Sequence, residues 1–149
     1  MGRGTAQKRF DTVFGNRRGL SKKQTEERSS TYELLNGNKM WRSNGHLHRE
    51  DGPAFEGANG TKEWYREGRL HRESGPAIER ANGAKAWYLE GRRHREDGPA
   101  AEYPDGTKEW WLNGQRHRED GPAIECANGI KEWYLNGQRC SQASLTVKG

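Results

Sequence analysis

No stretch of this chain approaches the run of about 18 apolar residues that a membrane-crossing helix needs. The aliphatic supply is thin as well. Leu, Ile, Val and Phe together make 17 of the 149 residues, and mean hydropathy is −1.30, in the range usual for disordered chains. Cysteine is limited to Cys126 and Cys140, which form neither a metal-type spacing nor a disulfide framework, so a reducing intracellular compartment is the expectation. The first residues lack the apolar stretch of a signal peptide and the Ser/Thr that myristoylation requires at position 6. There is no P-loop, nucleophile elbow or dinucleotide fingerprint.

Six Trp and twenty Gly argue against disorder. Disordered segments are poor in aromatics, and the glycines fall at regular intervals. His-Arg-Glu begins at His48, His71, His94 and His117, each 23 residues after the last. Gly-Pro-Ala follows at Gly52, Gly75, Gly98 and Gly121, then Asn59-Gly60, Asn82-Gly83, Asp105-Gly106 and Asn128-Gly129. The columns Lys62, Lys85, Lys108, Lys131 and Trp64, Trp87, Trp110, Trp133 keep the same register. Backwards, Asn36-Gly37, Lys39, Trp41 and Gly45 also fall on it. The period therefore predicts a basic leader over 1–29, five units over 30–144 and a tail over 145–149, with atypical first and last units as a stacked array requires.

Asn-Gly between two short runs is a strong hairpin signal, because both residues tolerate the positive φ of a type I′ turn. Turns there pair Tyr32 with Trp41, Phe55 with Trp64, Ile78 with Trp87, Ala101 with Trp110 and Ile124 with Trp133. The expected fold is all-β: a tandem array of five β-hairpin repeats forming an elongated, twisted, single-layer antiparallel sheet. In it Trp41, Trp64, Trp87, Trp110 and Trp133 are structural, as are His48, His71, His94 and His117. A second aromatic column, Tyr65, Tyr88, Trp111 and Tyr134, points to the opposite face by alternation. Either the His-Arg-Glu-Asp-Gly connection folds over it, or it grips a partner.

The period, with its aromatic–x–x–Gly–x–x–His spacing and later Asp/Asn-Gly, resembles the MORN repeat family. The likeness is to a variant whose units read like Trp133-Tyr134-Leu135-Asn136-Gly137 joined to His117-Arg118-Glu119-Asp120-Gly121-Pro122-Ala123, as in proteins of bacteriophages and large DNA viruses. It covers residues 30–140. Standard MORN units place glycines soon after the His, whereas Arg-Glu-Asp intervenes here, so lipid binding does not carry over. The resemblance implies a curved single-layer sheet used as a scaffold or protein-binding surface. With the small size, it further implies a phage-encoded, cytoplasmic inhibitor of a host-defence complex, such as an anti-CRISPR protein.

Catalysis and metal binding fit poorly. Residues one repeat apart lie two strands, about 9–10 Å, apart, whereas zinc needs ligand atoms within about 2.3 Å of one ion. His46 and His48 make the only plausible pair. A motif recurring four times almost unchanged reads as a structural ladder rather than an asymmetric catalytic cleft. Asp51, Asp97, Asp120 and Ser74 are expected to accept turn N–H bonds, and Arg49, Arg72, Arg95 and Arg118 to pair with Glu of a neighbouring unit. No enzyme activity and no cofactor is expected.

The net charge of +5 sits wholly in residues 1–29, where eight basic residues face three acidic ones; eighteen of each sign remain in 30–149. Arg3, Lys8, Arg9, Arg17, Arg18, Lys22 and Lys23, with Phe10 and Phe14, suit phosphates and bases or an acidic protein groove. The leader is expected to be either a solvated, disordered tail or a short helix through Lys22–Ser29 capped by Ser21. The expected partner is a host protein or ribonucleoprotein complex. Nucleic acid binding through the leader, and self-association through open β-edges, are the alternatives. No membrane association is expected.

Overall fold

The computed structural model describes residues 31–146. The basic leader, with its candidate contacts and Ser21 cap, lies outside them. The described residues are all-β but for one C-terminal helical turn, and they fall into two compact units that divide between Leu70 and His71.

The first unit contains β1 (Thr31–Leu35), β2 (Asn38–Ser43), β3 (His46–Leu47), β4 (Phe55–Glu56), β5 (Lys62–Glu63), β6 (Tyr65–Arg66) and β7 (Arg69–Leu70). Its antiparallel order is β1-β2-β4-β5, with β3 also on β2 and β6 paired to β7. The second unit contains β8 (Ile78–Glu79), β9 (Lys85–Ala86), β10 (Tyr88–Leu89), β11 (Arg92–Arg93), β12 (Ala101–Glu102), β13 (Lys108–Glu109), β14 (Trp111–Leu112), β15 (Gln115–Arg116), β16 (Ile124–Glu125), β17 (Lys131–Leu135), β18 (Gln138–Cys140) and α1 (Gln142–Thr146). Here the order is β8-β9-β12-β13-β16-β17-β18, with β10–β11 and β14–β15 as separate hairpins. Both are open antiparallel sheets.

Tyr32 pairs with Trp41 as the Asn36-Gly37 turn predicts, with ring centroids 5.0 Å apart. In the other units the predicted register is wrong by one residue. Phe55 faces Glu63, Ile78 faces Ala86, Ala101 faces Glu109 and Ile124 faces Glu132, not the tryptophans. The cause is the loop. Gly60 N–H donates to Gly57 O and Gly57 N–H to Thr61 O, which is a type I turn closed by a bulge glycine in the left-handed region (Gly60 φ 96). Three residues rather than two turn the chain. Asn59 keeps its normal φ and uses its Oδ1 to accept Thr61 N–H at 2.9 Å; Asn82, Asp105 and Asn128 repeat that bond. The true type I′ turns are Asn36-Gly37, Asn44-Gly45, Glu67-Gly68, Glu90-Gly91, Asn113-Gly114 and Asn136-Gly137, with both residues of each pair at positive φ.

Trp41, Trp87 and Trp110 each join two ladders. The N–H donates forward to the alanine of the next Gly-Pro-Ala (Trp87 to Ala100 O, 2.8 Å), and the C=O accepts from the following histidine (His94 N–H, 3.1 Å). Trp41 with Ala54 and His48, and Trp110 with Ala123 and His117, do the same. The long strand of each internal repeat of the second unit is thereby split at its Trp, one half in the main sheet and the other in a side hairpin. Registers such as Ala101↔Glu109 and Glu109↔Ile124 set Ala100 and Ala123 on either side of Trp110. These alanines, with Ala54 and Ala77, have 0% exposure. The core is a row of alanines wedged between indoles, with Ile78, Ala86, Ala101 and Ile124 also buried. No large side chain of the described residues is fully buried.

Candidate functional site

The loop between hairpins is built around its arginine. Arg118 donates from Nε to Asp120 (3.0 Å) and from Nη1 to Pro122 O (3.0 Å) and Glu125 (2.8 Å). Its Cζ lies 3.9 Å from the centroid of Trp110. On the other side a Cβ added to Gly121 would stand 2.8 Å from that Cζ, so the guanidinium is held between glycine and indole. Arg95 over Trp87 and Arg49 over Trp41 are equivalent, each at 4.0 Å. This assigns the whole motif. Arg caps the Trp, Asp and a neighbouring Glu balance its charge, Gly admits it, Pro offers a carbonyl, and Ala fills the row. The expected Arg–Glu pairing between neighbouring repeats is present at Glu56, Glu79, Glu102 and Glu125. Asp51, Asp97 and Asp120 take the arginine Nε. Arg95 accordingly holds the Asp97 carboxyl below its ordinary value, by hydrogen bond and then by charge.

The histidines serve the turns. Nδ1 of His48, His94 and His117 accepts the N–H of Glu67, Asn113 and Asn136, the first positive-φ residue of the next type I′ turn, at 3.0, 3.0 and 2.9 Å. The Nε2 of each faces a glutamate of its own loop at 3.6 Å. His71 accepts from Glu90 N–H likewise, and its Nδ1 also lies 3.0 Å from the Glu90 carboxylate. His46 and His48, the pair weighed for metal binding, are used separately, His46 lying against Gly68. Among the described residues no group of three or more His, Cys, Asp or Glu could hold a metal ion.

The loop arginines therefore cover the first aromatic column, not the second. The second column has cover of another kind. Arg93 pairs with Tyr88 and Arg116 with Trp111 across their hairpins. Arg93 Cζ is 5.4 Å from the Tyr88 ring and 5.3 Å from that of Trp111; Arg116 Cζ is 5.1 Å from Trp111 and 5.4 Å from Tyr134. Arg139 sits opposite Tyr134. The second unit thus carries a ladder of alternating rings and guanidiniums along one face. Glu109 accepts from Trp111 Nε1 at 2.8 Å and faces Arg93 at 3.5 Å, and Glu132 accepts from the Tyr134 hydroxyl. Tyr65, in the first unit, donates to Glu63. All four candidate aromatics are half-buried.

Two features separate this ladder from the structural columns. The Nε–H groups of Arg93 and Arg116 are buried without an acceptor, a desolvation cost of about 1–3 kcal/mol each that leucine would avoid. Leucine is what the first unit has, Leu47 and Leu70 standing in the column that continues as Arg93, Arg116 and Arg139. The change from leucine to arginine within that column, opposite the second aromatics, is the sequence signal for these residues. Elsewhere, a cleft of about 640 Å³ opens between loops 72–76 and 94–97, walled by Trp87 and Leu89. Its rim holds Glu73, Glu96 and Asp97 against Arg72 and Arg95, a poor balance for an anion.

No helix of the described residues is long and apolar enough to cross a membrane. No protein-family model matches this chain, and no curated protein matches it.

Proposed function

We propose that this is a non-enzymatic, protein-binding repeat module that engages its partner through the arginine–aromatic ladder of Tyr88, Arg93, Trp111, Arg116, Tyr134 and Arg139. One observation carries the reading. In the ladder's column arginine replaces the leucine of the first two repeats, and Arg93 and Arg116 keep buried, unsatisfied N–H groups there. Unsatisfied polar groups concentrate where function, not stability, selects the residue. Trp, Tyr and Arg are also the side chains that dominate interface energetics. A continuous polyanion fits less well, because Glu109 and Glu132 share the face and residues 30–149 have no net charge. The finer reading, a phage-encoded inhibitor docked on a host-defence complex in the host cytoplasm, rests on the wording of the repeat alone.

The test is capture from host lysate by the full chain, with and without nuclease, alongside the double variant Arg93→Glu/Arg116→Glu. We expect a protein that survives nuclease and is lost with the double variant, whose circular dichroism stays that of the parent. Capture that needs nucleic acid and falls steeply with salt would favour the leader. Capture untouched by both arginine changes would remove the ladder as the binding surface.

A further inference from the structure

Among the described residues, no strand follows the last repeat as its successor. In the second unit, β9 and β13 each carry a strand of the following repeat, with Lys85 opposite Glu102, Ala86 opposite Ala101, Lys108 opposite Glu125 and Glu109 opposite Ile124. The tryptophan after each donates its N–H to the incoming alanine. β17 repeats the receiving sequence as Lys131-Glu132-Trp133. It has β16 on one side of Lys131 and Glu132, and β18 pairs only from Trp133 onward. Among the described residues no strand takes the place beside Lys131 and Glu132 that β12 and β16 take beside β9 and β13. Ser141 stands where a loop arginine would cap Trp133. Ile130 occupies the position from which Thr107 Oγ1 receives Ala127 N–H of the following repeat, and it is the most exposed large apolar residue described, at 54%.

We propose that this edge is a second binding surface, which accepts an extended segment of a partner polypeptide reading small–aliphatic–acidic. The requirements follow from the internal joints. The residue beside Trp133 must be alanine or smaller, because Ala100 and Ala123 have 0% exposure in that place. The next faces Glu132 as Ile124 faces Glu109, and the third stands opposite Lys131 as Glu125 stands opposite Lys108, where an acidic residue complements the lysine across the sheet.

A second copy of this chain is not the occupant. Its leading strand β1 sets Tyr32 where the internal strands have alanine, and Glu33 where they have Phe55, Ile78, Ala101 or Ile124. Added to β17, it would press a tyrosine ring into an alanine-sized gap and set Glu33 against Glu132. Like charges directly opposite in a sheet are destabilising.

The probe is a labelled synthetic peptide with the sequence of residues 117–125, titrated into the full-length protein. Saturable binding is expected, with new hydrogen-exchange protection at the Lys131 and Trp133 amides. The exposed substitution Lys131→Glu should weaken it on the order of fivefold, and a peptide whose final Glu is replaced by Lys should recover that loss. A peptide with Tyr in place of its alanine should not bind. Light scattering should report a monomer throughout. Absent binding, protection elsewhere, or indifference to both charge changes would overturn the proposal. So would a head-to-tail oligomer that Lys131→Glu dissolves, since the occupant would then be a second copy.

Discussion

Gly121→Ala is a small change that should behave as a large one. The φ of Gly121 lies outside the left-handed region, so alanine meets no backbone strain there. Its Cβ, however, would stand 2.8 Å from Arg118 Cζ, closer than real Cβ atoms come, and a tight 3.1 Å from Nε. The guanidinium must leave the slot. What goes with it is the Trp110 contact at 3.9 Å, about 0.5–2 kcal/mol, and the Pro122 carbonyl bond at 3.0 Å, about 1 kcal/mol. The pairs with Asp120 and Glu125 are partly solvated and add at most about 1 kcal/mol. We expect a loss of about 2–3 kcal/mol in urea unfolding, with hydrogen exchange quickened first around residues 117–125. The decisive assay is a double-mutant cycle. In an Arg118→Ala background the slot is empty, and Gly121→Ala should cost less than about 0.5 kcal/mol, or even stabilise by restricting the unfolded chain. If the glycine change costs the same in both backgrounds, the arginine does not explain the glycine and the reading of the motif is wrong.

Two further outcomes test other parts of the fold. His117→Ala removes the acceptor for Asn136 N–H at a residue held at φ 51; it should lower stability by about 1 kcal/mol and quicken exchange of that amide, measurable by two-dimensional NMR. Asp97 has a folded-state carboxyl value lowered by Arg95, so the ionised form stabilises the fold above the unfolded carboxylate range, about pH 4, and that contribution is lost as pH falls through the lower folded value. Wild type should therefore exceed Asp97→Asn in melting temperature at neutral pH, with the gap closing at acid pH; a gap that widens on acidification would reverse the assignment.

Much of the architecture was legible because the period is a statement about contacts: a residue that recurs every 23 positions recurs in one environment. The pairing of loop arginines with glutamates one repeat away followed from that, and the pairing of Tyr32 with Trp41 from the Asn36-Gly37 turn. The register of the other hairpins did not. Asn-Gly is compatible with a two-residue type I′ turn and with the end of a three-residue type I loop, and the choice belongs to one extra residue whose role only pairing reveals. Glu67 and Glu90 hold positive φ in tight turns without the usual Asn, so no local signal marks them. Nor does composition show that an arginine lies on a tryptophan, since that contact joins a loop to a strand residue eight positions before it. The ladder arginines were not legible for a different reason: their column reads Leu47, Leu70, Arg93, Arg116, Arg139, so the period does not mark it.

A core of alanines between half-covered indoles also fixes how this protein responds to temperature. Unfolding heat capacity scales with newly exposed apolar area and is reduced by newly exposed polar area. Here the side chains that vanish completely are alanines, and the larger rings are shielded by guanidiniums whose exposure counts with the opposite sign. Per residue, the heat-capacity step should fall below that of a domain built around buried leucine and phenylalanine, and the stability curve should be correspondingly flat. A sheet held in this way gives up little stability on cooling, and it draws its resistance to heat from many equal joints rather than from one central core.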